Sequence, residues 1–196
     1  MPTIREIAGL PSTPAKLSDS ALIMIDCQNT YREGVMQLEG VEEALVNARL
    51  LLERARKAGI PIFHIQHDAG VGSPYDLTAE NGQISKPVAP LENEPVIVKN
   101  YPDSFSSTNL DQQLKQAGAR NLILAGFMSH MCVSSTARGG FDRNYAVTIA
   151  ENTTATRSLP DGHGGTLSAP DVQRASLRGL ADLVAIIVDD AAEIPD

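Results

Sequence analysis

Six short apolar runs set the fold class of this chain. They fall at residues 21–25, 61–65, 96–98, 121–125, 145–149 and 183–188. Each has the length of a strand, and strands buried on both faces read as continuous apolar runs. Between the runs lie stretches of helical period. Val41, Ala44, Leu45, Ala48, Leu51, Leu52 and Ala55 share one helix face, with Glu42, Glu43, Glu53, Arg54, Arg56 and Lys57 off it. Gly59 follows as a stop, after two basic residues in the last turn. Further helices are expected from a Thr108 cap to about Gln116, after Cys132, and from about Asp171 to Gly179. Strand alternating with helix predicts an α/β fold: a three-layer α/β/α sandwich around a mostly parallel six-stranded sheet.

There is no internal repeat and no clear linker, so one domain is expected over residues 1–196, with 1–18 as an N-terminal extension. Residues 68–95 and 152–170 carry little periodicity. Irregular stretches of that length in a compact domain are often functional. Net charge is -8, which argues against nucleic acid or an anionic membrane as partner. No apolar run approaches the roughly 20 residues that span a bilayer, and no secretory signal pattern is present at the N-terminus. Two cysteines, Cys27 and Cys132, do not make a disulfide framework, so a cytoplasmic setting with free thiols is the expectation.

In open α/β sheets, ligands bind beyond the carboxyl ends of the strands. Asp26 ends the first run, Lys99 ends the third, and Cys132 closely follows the fourth. Each has a bland use: an Asp at a strand end caps or anchors a loop, a Lys there is a solvated charge, and a lone Cys is inert core. Together at one sheet edge they match a nucleophilic site. A thiol at a strand-to-helix junction meets unpaired N–H groups and the positive end of the helix dipole, and both favour thiolate. A carboxylate partly stripped of water can take the thiol proton and later protonate a leaving nitrogen. A lysine beside it balances charge. Backbone N–H groups of Met128, Ser129 and Cys132 are placed for the oxyanion.

Gln28 lies two residues past Asp26 and can point the same way, toward a substrate carbonyl. Tyr31, Tyr101 and Phe105 are candidates for an apolar wall, and His67, at the end of the second run, for a pocket lining. His64 reads as a satisfied core histidine and His163 as an exposed loop residue. His130 invites a Cys–His dyad that the tight turn need not form. Cys27 reads as a small buried apolar residue.

Three segments carry a family resemblance: Leu22-Ile-Met-Ile-Asp26-Cys-Gln28-Asn29, Val96-Ile-Val-Lys99-Asn-Tyr101 with Ser104-Phe105, and Gly126-Phe-Met-Ser-His-Met-Cys132-Val133. In this order they resemble the isochorismatase-like cysteine hydrolase superfamily, over about residues 20 to 190. The resemblance implies a triad of Asp26, Lys99 and Cys132, and a cis peptide between Met128 and Ser129 that aims N–H groups at the oxyanion. It also implies a homodimer or higher homo-oligomer acting on a small molecule. Two departures narrow the chemistry. Nicotinamidases of the superfamily carry Asp-x-His and a further His as a metal site after the second strand. Here that stretch reads His64-Ile-Gln-His67-Asp68, so no metal and no cofactor is expected. Isochorismatases cleave a vinyl ether and commonly lack the cysteine, so Cys132 favours an amidohydrolase acting on amide, ureide or carbamoyl C–N bonds. The alternatives are ether hydrolysis, a thiol-redox protein using Cys132 and Cys27, and a catalytically silent binding domain.

Overall fold

The computed structural model describes residues 1–196. A short helix, α1 (Ile4–Ile7), opens the chain and is followed by β1 (Ser20–Ile25), α2 (Val41–Ala58) and β2 (Ile62–His67). Then come β3 (Val96–Lys99), α3 (Leu110–Gln116), β4 (Asn121–Phe127), α4 (Ser134–Asp142) and β5 (Ala146–Ala155). A two-stranded ribbon, β6 (Leu159–Pro160) with β7 (Thr166–Leu167), precedes α5 (Ala169–Ala181) and β8 (Ala185–Val188).

Six strands form one sheet in the order β3-β2-β1-β4-β5-β8, and every pair in it is parallel. The chain builds outward from β1 to β3, then returns to place β4 against the other side of β1. The order therefore reverses between β1 and β4, where such sheets open a crevice. All six β1 residues are buried, as expected of a strand covered on both faces.

Strand alternation sorts the core into two layers. Leu22, Met24, Ile62, Ile123 and Ala125 face α2, which contributes Leu45, Leu51 and Leu52. Burying those three leucines is worth on the order of 5–9 kcal/mol of transfer free energy. That exceeds what helix propensity supplies. Ile23, Ile65, Ile97 and Leu124 face the opposite layer with Leu110, Leu114, Ala137, Leu177 and Leu180 from α3, α4 and α5. Gly59 ends α2 at φ 68°, its N–H bonded back to Ala55 and Arg56 carbonyls.

The strands and helices match the sequence pattern within a few residues. Two details differ. β5 runs on to Ala155, and the ribbon β6–β7 occupies part of the stretch expected to be irregular. The helical turn around the cysteine starts at Ser129, before Cys132, as a five-residue π-helical turn leading into α4.

Candidate active site

At the reversal point, β1 and β4 approach until Gly126 pairs with Ile25. Gly126 has φ 113°, and a Cβ there would sit 2.0 Å from the Ile25 carbonyl oxygen. Only glycine fits that contact and that backbone. The next residue on each strand begins the site. Asp26 leaves β1 at φ 47°, a strained left-handed conformation for a non-glycine residue. β4 ends at Phe127, and the Phe127–Met128 peptide bond is cis. The expected position, Met128–Ser129, is thus one residue too late. The break in direction comes where the β4 ladder with β5 stops, at Phe127 opposite Ala155.

Alternation puts Lys99 on the same face as Ile97, and His67 on the same face as Ile65. That is the layer holding Cys132. Lys99 is 1% exposed, and its Nζ reaches three groups: Asp26 Oδ2 at 2.7 Å, His67 Nδ1 at 3.1 Å and Cys132 Sγ at 3.4 Å. The three residues singled out from strand ends are therefore joined through one ammonium group. Asp26 is fully buried, and neither of its oxygens has a hydrogen bond of good geometry despite the ion pair with Lys99. Burial raises its carboxyl above the usual range, against the opposing pull of Lys99.

The expected resting thiolate is not what this environment favours. Burial and then the Asp26 charge push the Cys132 thiol up to about 12, outweighing Lys99. The helix start on which that expectation rested lies upstream, so Cys132 sits inside the turn and is only 5% exposed. The thiol holds its proton at rest and needs a base, and Asp26 is within reach of it. Cys27 is buried as expected, and burial with the neighbouring Asp26 raises its thiol too.

The remaining candidates separate. Tyr31 is buried, meets Tyr75 and Phe127 edge to face, and hydrogen bonds to the Tyr75 hydroxyl at 3.2 Å. His67 is half-buried with Tyr75 against its ring at 4.8 Å. Gln28 does not face a substrate. Its Nε2 donates to the His67 and Gly82 carbonyls, and its Oε1 accepts from the His67 N–H. That amide is spent on pinning residues 68–95 to β2. Tyr101 is 56% exposed, out in solvent beyond β3. Phe105 is core: it stacks on Tyr145 at 6.0 Å, with Arg143 over its ring. Segment 100–109 turns away from the site because Ser104 is tied to Thr136 of α4 by two hydrogen bonds. Of the predicted aromatic wall, Tyr31 remains, and Tyr75 joins it. Tyr75 lies in a stretch without periodicity, so no pattern marked it.

His130 turns to Thr156 Oγ1 at 2.5 Å, away from a dyad with Cys132. His64 bonds Glu94 at 2.9 Å in the core, and His163 is exposed. The Ser129 hydroxyl is sealed from solvent without a partner, next to the turn that carries Cys132. No group of three or more His, Cys, Asp or Glu is placed to hold a metal ion. No helix is long and apolar enough to cross a membrane. The larger clefts lie elsewhere. One of about 610 Å³ is lined by Leu10, Pro14, Phe141 and Val184, and one of about 430 Å³ by Arg56, Ile62, Phe63 and Glu94. Neither is lined by Asp26, Lys99 or Cys132.

Comparison with known proteins agrees with this geometry. The isochorismatase domain matches residues 20–192. This chain belongs to the isochorismatase family. A crystal structure of an isochorismatase from Pseudomonas putida superposes with a TM-score of 0.95 at 37% identity, covering 99% of each chain. The secreted isochorismatase effector Isc1 of Verticillium dahliae is 33% identical over 189 residues, 96% of this chain and 97% of its own. A ureidoacrylate amidohydrolase of Pseudomonas syringae is 27% identical over 194 residues, 78% of this chain and 79% of its own. This isochorismatase-family hydrolase thus has relatives whose names point to two chemistries, and its own site must argue between them.

Proposed function

We propose that this family member hydrolyses an amide-like C–N bond of a small molecule through a thioester on Cys132. The observation that carries the reading is the Lys99 ammonium held between Asp26 Oδ2 and Cys132 Sγ, at 2.7 and 3.4 Å. Burial raises the Asp26 carboxyl, which makes it a stronger base than an exposed carboxylate toward the thiol beside it.

In the first step Asp26 takes the Sγ proton as sulfur bonds to the carbonyl carbon. The carbonyl electron pair moves to oxygen, facing backbone N–H groups of the Met128–Cys132 turn. Asp26 then returns the proton to the leaving nitrogen as the C–N bond breaks, which leaves the thioester. A water gives a proton to Asp26 and attacks the acyl carbon. The sulfur departs and regains its proton from Asp26. Lys99 stays paired throughout and stabilises whichever partner is anionic. Cys132 is 5% exposed, so the group that reaches it must be small. The amidohydrolase relative supports the same bond class.

The second reading is ether hydrolysis, which the relative named as an isochorismatase effector favours. A screen of amides, ureides and carbamoyl compounds, with intact mass of the quenched enzyme, separates the two. The expected result is turnover with an acyl adduct on Cys132, and loss of at least about a thousandfold in Cys132→Ala. Turnover that survives Cys132→Ala, without adduct, overturns the thioester.

A further inference from the structure

Lys99 has three N–H donors, and the site offers them three acceptors. Asp26 and Cys132 are two. The third is His67 Nδ1, at 3.1 Å. An ammonium can only donate, so Nδ1 must carry its lone pair, and the ring proton belongs on Nε2. Nε2 has no protein partner, yet it is not among the buried polar atoms sealed from solvent. It is a donor left open on the ring whose other nitrogen meets the Lys99 ammonium, which itself contacts Cys132 Sγ. The ring is held in place from two sides: Tyr75 packs edge to face against it, and the His67 N–H is tied to Gln28 Oε1 at 2.8 Å.

We propose that His67 positions Lys99 through Nδ1 and presents Nε2–H to an oxygen acceptor on the substrate. The acceptor is a second carbonyl, ureido or carboxylate oxygen adjacent to the scissile amide. This rests on the C–N hydrolysis reading and adds to it which substrates are held: those with an acceptor besides the one under attack. It also gives the site an acid limit. The groups acting on the ring are Lys99 on β3, Asp26 after β1 and the adjacent Asp68, with Tyr75 packed against it from the 68–95 stretch. Burial, then Lys99, lowers the imidazole below its ordinary value of 6.5, against the two aspartates. When the ring does protonate, Nδ1–H meets the Lys99 ammonium and the three-way contact is lost.

Two substitutions separate the two roles. Asn places an oxygen where Nδ1 stands, so His67→Asn keeps the Lys99 acceptor and deletes the outer donor. Gln places an amide where Nε2 stands, so His67→Gln keeps the outer donor and deletes the Lys99 acceptor. With an amide turned over in the screen, His67→Asn is expected to raise KM about tenfold with kcat nearly unchanged. His67→Gln is expected to lower kcat about tenfold with KM nearly unchanged. In both, one of the two acid-side protonations of the wild type disappears and that of Asp26 stays. Equal losses in the two variants, or an unaltered acid limb, overturn the assignment.

The tautomer is read without any substrate, from imidazole nitrogen NMR of the wild-type protein. Nε2–H at neutral pH, with a midpoint below 6.5 that rises in Lys99→Met, is the expected result. An Nδ1–H ring in the wild type overturns the proposal, whether or not any amide is hydrolysed and whether or not Lys99→Met folds.

Discussion

Of the three buried carboxylates, Asp26, Asp76 and Glu94, two lie beside a cation and a histidine of β2. Glu94 accepts from Arg56 Nε at 2.7 Å and Nη2 at 2.8 Å, from the Leu91 N–H at 3.0 Å, and contacts His64 Nε2 at 2.9 Å. Asp26 has one ion pair with Lys99 and no hydrogen bond of good geometry. Burial works against the charge at both sites. At Glu94 the partners outweigh it and hold the carboxyl down to about 2. At Asp26 burial wins, and the carboxyl is raised. The same three kinds of group, a carboxylate, a cation and an imidazole, thus make a structural clamp at the start of β3 and the candidate reactive site at its end. What separates them is how many lone pairs are satisfied.

The sharpest way to break this comparison is to neutralise each carboxylate in turn. Asp26→Asn is expected to lower turnover at least about a thousandfold, with stability changed by less than about 2 kcal/mol. Glu94→Gln is expected to cost about 3 kcal/mol of stability and leave turnover per folded molecule unchanged. Chemical denaturation and a single-substrate assay on both variants check this. If both mainly unfold the protein, or both mainly stop turnover, the division of labour is wrong.

The pH dependence of stability sharpens the contrast, because the signs are opposite. Glu94 is depressed from 4.5 to about 2, so its contribution is fully present above 4.5 and is lost as pH falls through about 2. Asp26 is raised, so its contribution is present below 3.8 and is lost as pH rises through its folded value. Denaturation midpoints between pH 2 and pH 5 should fall steeply with acid in the wild type and less steeply in Glu94→Gln. Asp26→Asn should steepen the fall, since it removes the opposing group. Parallel curves in all three proteins would count against both assignments.

The smallest effect is at the thiols. With Cys132 pushed up to about 12, iodoacetamide should label it slowly near neutral pH and faster as pH rises. Cys27, buried and also raised, should lag behind it at every pH. Rapid labelling of Cys132 at pH 7 would mean that Lys99 dominates over burial and Asp26.

Placement was legible in the sequence where geometry follows from a strand. Asp26, Lys99 and Cys132 could be placed because each stands at or just after a strand's carboxyl end, and parallel strands bring those ends to one edge. His64 and His67 could be separated because one lies within the second apolar run and the other at its end, and on β2 their odd spacing puts them on opposite faces. Placement was not legible where position depends on polar ties between distant segments. Gln28 looked free to face a substrate, yet its amide is consumed by the Gly82 carbonyl and the His67 backbone. Phe105 and Tyr101 looked like pocket wall, yet the Ser104–Thr136 tie carries their segment to α4. Tyr75 went unseen because residues 68–95 have no period. Contacts such as Ser85 N–H to the Cys27 carbonyl and Asn29 N–H to the Gln83 carbonyl decide where that stretch lies.

Apolar period and strand length were enough to determine the α/β class, the sheet and the edge at which the chemistry gathers, since burial of those runs has few solutions. The protonation of that chemistry was left to the tertiary structure. A residue's charge depends on who surrounds it and how much water remains. Cys132, expected as thiolate, is pushed toward the thiol because the packed core and then Asp26 outweigh one lysine.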